Sequence, residues 1–259
     1  MQSFTPHHEK ATGATVGYPT WCPIKPRMDG IEVPKSNAPK PRLLSRGAGF
    51  TGVILAGGEN RRMPTNKAFL EVNGEIIIER TIRIFNELFD EVIIVTNTPE
   101  LFIKYRIKLV GDLFNLRGPL TGIFSGLLNA RGNFCFVVAC DMPFINKELM
   151  SYMIANTGDY DAVVPRIGKA IEPLHAIYSR ECLHAMEQSL LVNQTPRQRS
   201  LTEFLNRCNV RFIEEDEIER FDPSKRSFVN LNTPDDLEMA MSTNPLSKVS
   251  LRGTTCEAI

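Results

Sequence analysis

Three continuous apolar runs, each ended by small or polar residues, restrict the fold of this chain more than any other feature. They are "FTGVILAG", "EVIIVTN" and "NFCFVVACD". Their apolar residues are consecutive rather than alternating, which is the pattern of strands buried on both faces. Helical patterns lie between them. "EIIIERTIRIFNELF" sets Ile78, Ile82, Phe85 and Phe89 at helical spacing. "GPLTGIFSGLLNAR" is opened by Gly118-Pro119 and gathers Ile123, Leu127 and Leu128 on one face. "NKELMSYMIANTG" carries Asn146 as its N-cap. Buried strands alternating with helices imply a mostly parallel sheet covered on both faces. The expected fold is α/β: a three-layer α/β/α sandwich around a doubly wound, Rossmann-like sheet.

Further along, "DAVVP" and "EPLHAIYS" read as strands, and "RECLHAMEQSLL" and "SLTEFLNRC" as helices. "VRFIEE" and "SFVNLN" read as strands again. "TPDDLEMAM" closes the domain as a helix, with Thr233 at its N-cap and Pro234 at its first position. The expected organisation is a flexible Pro-rich extension over 1–48, a folded domain over 49–242 and a loose tail over 243–259.

Acidic and basic residues number 30 each. That balance argues against a dedicated nucleic-acid or membrane-surface protein. No apolar run is long enough to span a bilayer, and "MQSFTPHHEKATG" lacks the apolar core of a secretory signal. A cytoplasmic location is expected. The six cysteines, Cys22, Cys135, Cys140, Cys182, Cys208 and Cys256, form no CxxC pair and read as reduced thiols. "HHE" at His7 to Glu9 lacks the ligand spacing of a metal site.

Doubly wound sheets bind ligands beyond the carboxyl ends of their strands. The residues in that position are Gly57-Gly58, Asn97, Asp112, Asp141 and Asn230 to Asn232. At Gly57-Gly58 the backbone can turn sharply, and its free amides form an anion nest. Arg61, Arg62 and Lys67 follow and supply positive charge suited to a triphosphate. The loop matches neither GxGxxG nor GxxxxGK[ST], so a tight turn with solvated cations stands beside the nucleotide reading. Asp141 ends the most apolar strand, and Asp112 follows another strand. Each reads as a magnesium or phosphate-site carboxylate, or as a turn cap. Two acidic strand ends near one cationic glycine loop favour the first reading. His175 lies between Leu174 and Ala176, with Ile177 nearby, and reads as a structural strand histidine rather than a general base.

In their order, these motifs resemble the MobA-like nucleotidyltransferases, the molybdenum cofactor guanylyltransferases in particular. The resemblance covers residues 51 to about 241. "LAGGENRRMPTNKAFL" is similar to the family signature LAGG-x-S-x-RMG-x-x-K, and "GPLTGIFSGL", "ACDMPF" and "VNLNTPDDL" resemble three further family motifs. The resemblance implies the fold of the nucleotide-diphospho-sugar transferases. It implies that Leu55, Ala56 and Gly57 line the nucleotide, that Lys67 contacts phosphate, and that Asp112 binds the guanosine nucleotide. By the same resemblance Asp141 binds both nucleotide and Mg²⁺, and Lys67 and Asp141 are the catalytic residues. Asn97 is similar in position to an asparagine near base or ribose in some members. Two positions depart from the signature: Asn60 replaces serine, and Pro64 replaces glycine and removes an N–H donor.

The reaction so implied is transfer of GMP from GTP to the terminal phosphate of the molybdenum–molybdopterin cofactor, with release of pyrophosphate. GTP and the molybdopterin cofactor are the implied substrates, and a molybdoenzyme or another cofactor-biosynthesis protein is the implied recipient. Beside it stand the same chemistry with CTP, a sugar-phosphate or polyol-phosphate acceptor, and a non-catalytic GTP-binding regulator in which Pro64 has weakened catalysis; a flavodoxin-like redox carrier is disfavoured by the cation-rich first loop.

Overall fold

The computed structural model describes residues 49–57, 66–116, 118–191, 200–233 and 236–238. The Pro-rich extension over 1–48 and the tail over 243–259 lie outside the described residues.

The first strand, β1 (Phe50–Leu55), is followed by a short hairpin, β2 (Glu71–Val72) and β3 (Glu75–Ile76). Its turn, Asn73-Gly74, takes φ values of 55° and 81°. Both are left-handed, the geometry that Asn-Gly tolerates best. Helix α1 (Ile77–Leu88) follows directly. Glu75 and Ile76 therefore belong to a strand, not to the first turn of the helix as their spacing suggests.

Strands β4 (Glu91–Val95) and β5 (Lys108–Val110) lead to helix α2 (Pro119–Asn129). Strand β6 (Phe134–Ala139) leads to helix α3 (Lys147–Ala155), capped as expected by Asn146, whose side chain accepts from the Leu149 amide at 2.8 Å. Strands β7 (Ala162–Ile167), β8 (Ala170–Ile171) and β9 (His175–Ser179) follow. Helices α4 (Cys182–Leu190) and α5 (Leu201–Leu205), strand β10 (Val210–Ile213) and helix α6 (Glu215–Ile218) complete the order. "SFVNLN" is not a strand: Arg226–Phe228 form a 3₁₀ turn, and residues 229–232 join no ladder.

The main sheet runs β10-β7-β9-β6-β1-β4-β5, with β8 paired to β7. The pairs β1–β4, β1–β6, β4–β5 and β7–β10 are parallel. Strand β9 runs antiparallel between β6 and β7. The sheet is thus mostly parallel, with β9 and the short β8 reversed, and the expected three-layer sandwich holds.

Side-chain alternation on the strands divides the core. Ile54, Ile94, Phe136 and Val138 pack with Ile78 and Phe85 of α1, with Leu149 and Met153 of α3 and with Ile218 of α6. Val53, Leu55, Val95 and Val137 face the other way, onto Leu120, Ile123 and Leu127 of α2, Met186 of α4 and Phe204 of α5. Gly52 sets how closely α1 approaches β1. A Cβ there would stand 2.5 Å from Phe85 Cδ2 and 2.6 Å from Phe89 Cδ2. No helix among the described residues is long and apolar enough to cross a membrane.

Candidate active site

The parallel strands β6, β1, β4 and β5 are consecutive neighbours, so their carboxyl ends form one edge. Leu55, Asn97, Asp112 and Asp141 lie at or within two residues of those ends. Backbone bonds continue past the strands and fix the edge. The Ala56 amide donates to the Val95 carbonyl at 2.9 Å, and the Cys140 amide to the Leu55 carbonyl at 3.0 Å. Leu55 and Ala56 are buried, whereas Gly57 is exposed. A Cβ at Gly57 would touch nothing within 4 Å, so no neighbouring side chain demands a glycine there.

Lys67 opens a 3₁₀ turn, Lys67–Phe69, capped by Asn66, whose side-chain oxygen accepts from the Ala68 amide at 3.1 Å. The cap directs the lysine across the sheet edge. Its Nζ lies 3.3 Å from Asp141 Oδ2 and donates to Asn232 Oδ1 at 2.8 Å. Both members of the ion pair are mostly buried, with side chains 18% and 22% exposed. Asp141 is braced from a second direction, because the Leu231 amide donates to its carbonyl at 3.0 Å. Lys67 engages only one oxygen of the carboxylate, and among the described residues Oδ1 has no hydrogen-bond partner. Burial pushes the neighbouring Cys140 thiol up to about 12, so it stays protonated at neutral pH and offers no nucleophile.

The second carboxylate is held by a different device. Asn97 Nδ2 donates to Asp112 Oδ2 at 2.7 Å, and the Asp112 amide donates to Asn97 Oδ1 at 3.0 Å. The next amide, of Leu113, donates to the buried hydroxyl of Ser125 on α2 at 2.9 Å. Gly122, also on α2, lets the helix lie close to this edge. A Cβ there would stand 3.2 Å from Leu55 Cδ2 and 3.7 Å from Asp112 Oδ1.

A single aspartate with a free carboxylate oxygen suits Mg²⁺, which binds hard oxygen donors and commonly takes one or two carboxylates together with substrate phosphates. No group of three or more His, Cys, Asp or Glu side chains suited to a metal exists among the described residues. The donor set therefore fits a substrate-shared ion better than an all-protein cage.

The structure thus joins Lys67 to Asp141 and Asn97 to Asp112. Gly58, Asn60, Arg61, Arg62 and Pro64 lie outside the described residues. His175 is fully buried between Phe136 and Phe228, as the strand reading expects. Asn232 stands in the sequence among the oxygen donors at the strand ends, equally open to a reading as a turn residue before Thr233; what the sequence does not show is that it binds a lysine 165 positions earlier. Its oxygen-donor side chain in the last motif was the available signal.

A doubly wound sheet whose carboxyl edge gathers a lysine, two fixed carboxylates and exposed glycine backbone suits a nucleotide, and the relatives of this chain are nucleotidyltransferases. More narrowly, the chain belongs to the MobA-like NTP transferase family, whose domain matches residues 52–215. It is 40% identical over 190 residues to a protein of Pelotomaculum thermopropionicum described as "Probable molybdenum cofactor guanylyltransferase", covering 73% of this chain and 91% of that one. It is 37% identical over 202 residues to the molybdenum cofactor guanylyltransferase of Desulfosudis oleivorans, covering 77% of this chain and 98% of that one. Among solved structures, the crystal structure of molybdopterin-guanine dinucleotide biosynthesis protein A from Archaeoglobus fulgidus is similar. It superposes with a TM-score of 0.65 at 27% identity, over 74% of this chain and 97% of that one.

Proposed function

We propose that this protein transfers GMP from GTP to the terminal phosphate of a molybdopterin-type cofactor, forming the guanine dinucleotide and pyrophosphate. The names of its relatives support the substrates, since those proteins are guanylyltransferases of the molybdenum cofactor. The observation that carries the reading is the Lys67–Asp141 pair at the carboxyl edge of the parallel strands.

The acceptor phosphate is anionic at neutral pH, so attack needs no strong base. The obstacle is the approach of two anions. Like unit charges about 4 Å apart repel by roughly 4 kcal/mol at an effective dielectric of 20. With two of its three N–H donors on Asp141 and Asn232, the Lys67 ammonium would offset that repulsion by giving the third to the phosphates. Leu55, Ala56 and Gly57 would line the nucleotide, the exposed Gly57 letting phosphate approach the main chain. Asp112, held by Asn97, would bind the guanosine portion. Asp141 would hold Mg²⁺, which supplies charge to the phosphate oxygens when bound. A molybdoenzyme or another cofactor-biosynthesis protein is the proposed recipient of the product, and the cytoplasm its proposed location.

The test is pyrophosphate release by the purified protein with molybdopterin cofactor, Mg²⁺ and each nucleoside triphosphate in turn. Release with GTP and little with CTP, ATP or UTP is expected. Preference for CTP, or tight GTP binding with no turnover, overturns the proposal.

A further inference from the structure

The Lys67 ammonium has two partners, and the shorter contact is to the neutral one, Asn232, at 2.8 Å. Asn232 is exposed and lies on a segment with no ladder to hold it. Something must fix its backbone if its side chain is to hold a lysine. Two attachments do so. On one side, the Leu231 amide bonds the Asp141 carbonyl, and Leu231 is itself fully buried. On the other side, Asp236 Oδ2 accepts from the amides of both Asn232 and Thr233 at 2.8 Å each. Thr233 Oγ1 returns the bond by accepting from the Asp236 amide at 3.2 Å.

We propose that Asp236 is a positioning residue for the nucleotidyl-transfer reaction: by clamping the amides of Asn232 and Thr233 it holds the Asn232 carboxamide against Lys67. The inference rests on the functional reading above for its consequence, but not for its geometry. Without the clamp, the amides of residues 232 and 233 lose their acceptor, only the Leu231 attachment and the two backbone-amide bonds to Thr233 remain, and the Asn232 side chain can leave the lysine. Lys67 then has only the longer contact to Asp141. The Asp236 carboxyl lies below the usual carboxylate range, chiefly because those two amides donate to it, and more weakly because Lys67 is near. It is therefore ionised and able to act as the clamp across the neutral pH range.

The effect on Lys67 can be read without any turnover. Limiting acetic anhydride labels free lysine amines, and mass spectrometry compares Lys67 with Lys169 in the β7–β8 turn. In Asp236→Ala, Lys67 labelling is expected to rise roughly fivefold, the scale of one lost hydrogen bond. Asn232→Ala is expected to give a similar rise, and the double variant no more than either alone, because the two residues act in series. If Asp236→Ala melts early, Asp236→Asn reports in its place; it keeps an acceptor oxygen without the charge and should show a smaller rise. Unchanged labelling in the folded variants, or independent effects that multiply in the double variant, overturns the proposal. Pyrophosphate release by the same set separates the two readings. Labelling as expected from a wild-type protein that releases no pyrophosphate sinks the guanylyltransferase reading and leaves the clamp standing.

Discussion

Lys67 Nζ and Asp141 Oδ2 stand 3.3 Å apart although 74 residues separate them in the chain. Their meeting depends on β6 lying beside β1, with Asp141 just past one strand and Lys67 on a capped turn after the other. Replacing the lysine by methionine keeps most of the packing and removes the charge. Lys67→Met is expected to lower kcat by roughly 10²-fold, as for loss of one charge-stabilising donor. Steady-state pyrophosphate release checks this; unchanged kcat and nucleotide affinity would remove Lys67 from the site.

Asp141→Ala is expected to abolish Mg²⁺-dependent turnover while the protein stays folded. The carbonyl that receives the Leu231 amide belongs to the backbone and survives the change. Circular dichroism and a Mg²⁺ titration of activity test the two halves separately. Full activity in this variant would falsify the metal assignment.

Asn97 bears on the proposed nucleotide site through Asp112, whose carboxylate and amide it both engages. Asn97→Ala frees that carboxylate at an exposed position, so little stability should be lost. Calorimetric GTP affinity is expected to fall by roughly tenfold, within the range for a lost hydrogen bond to a charged group. Affinity equal to wild type would show that Asp112 does not need the clamp.

Gly52→Ala tests the packing that positions β1. The new methyl meets two ring atoms of Phe85 and Phe89 at 2.5 and 2.6 Å, in a core with no room to yield. A loss of about 1–3 kcal/mol is expected from overpacking. Urea denaturation measures it, and wild-type stability would mean that α1 moves away freely.

His175 makes stability fall with acid. Among the described residues neither ring nitrogen has a hydrogen-bond partner, and burial depresses its pKa from 6.5 to about 4 against a smaller upward pull from Asp222. The folded protein keeps the imidazole neutral while the unfolded chain takes up a proton below about pH 6.5. Between about pH 6.5 and 4 the unfolded state therefore binds more protons, and stability declines as pH falls through that window. The full effect is on the order of 3 kcal/mol. Urea unfolding at pH 7.5 and 4.5 should show a smaller acid loss in His175→Leu than in wild type; parallel losses would mean the histidine finds a proton partner when folded.

The strands β1, β4 and β6 and the helices α1, α2 and α3 were legible because burial on two faces leaves continuous apolar runs, and burial on one leaves a helical stripe. The Asn73-Gly74 hairpin went unread although Asn-Gly is its signal, because the apolar run "EIIIER" that follows reads as the start of a helix. The reversed direction of β9 was not legible, because a buried strand has the same composition whether it runs parallel or antiparallel. "SFVNLN" misled for a related reason. Its apolar residues pack inward without joining a ladder: Leu231 is buried with Val72 and Ile77, Val229 packs against them, and Phe228 lies against the His175 ring.

By itself the sequence determined the layered α/β class, the strand ends where ligand chemistry belongs and the motifs that mark a MobA-like NTP transferase. Those follow from local pattern, which short-range sterics and burial impose residue by residue. Only the tertiary structure decided that Lys67 divides its contacts between Asp141 and Asn232, that Asn97 locks Asp112, and that Asp236 restrains the segment carrying Asn232. Those pairings join residues from distant parts of the chain, and their geometry depends on strand order and helix approach, which no local pattern encodes.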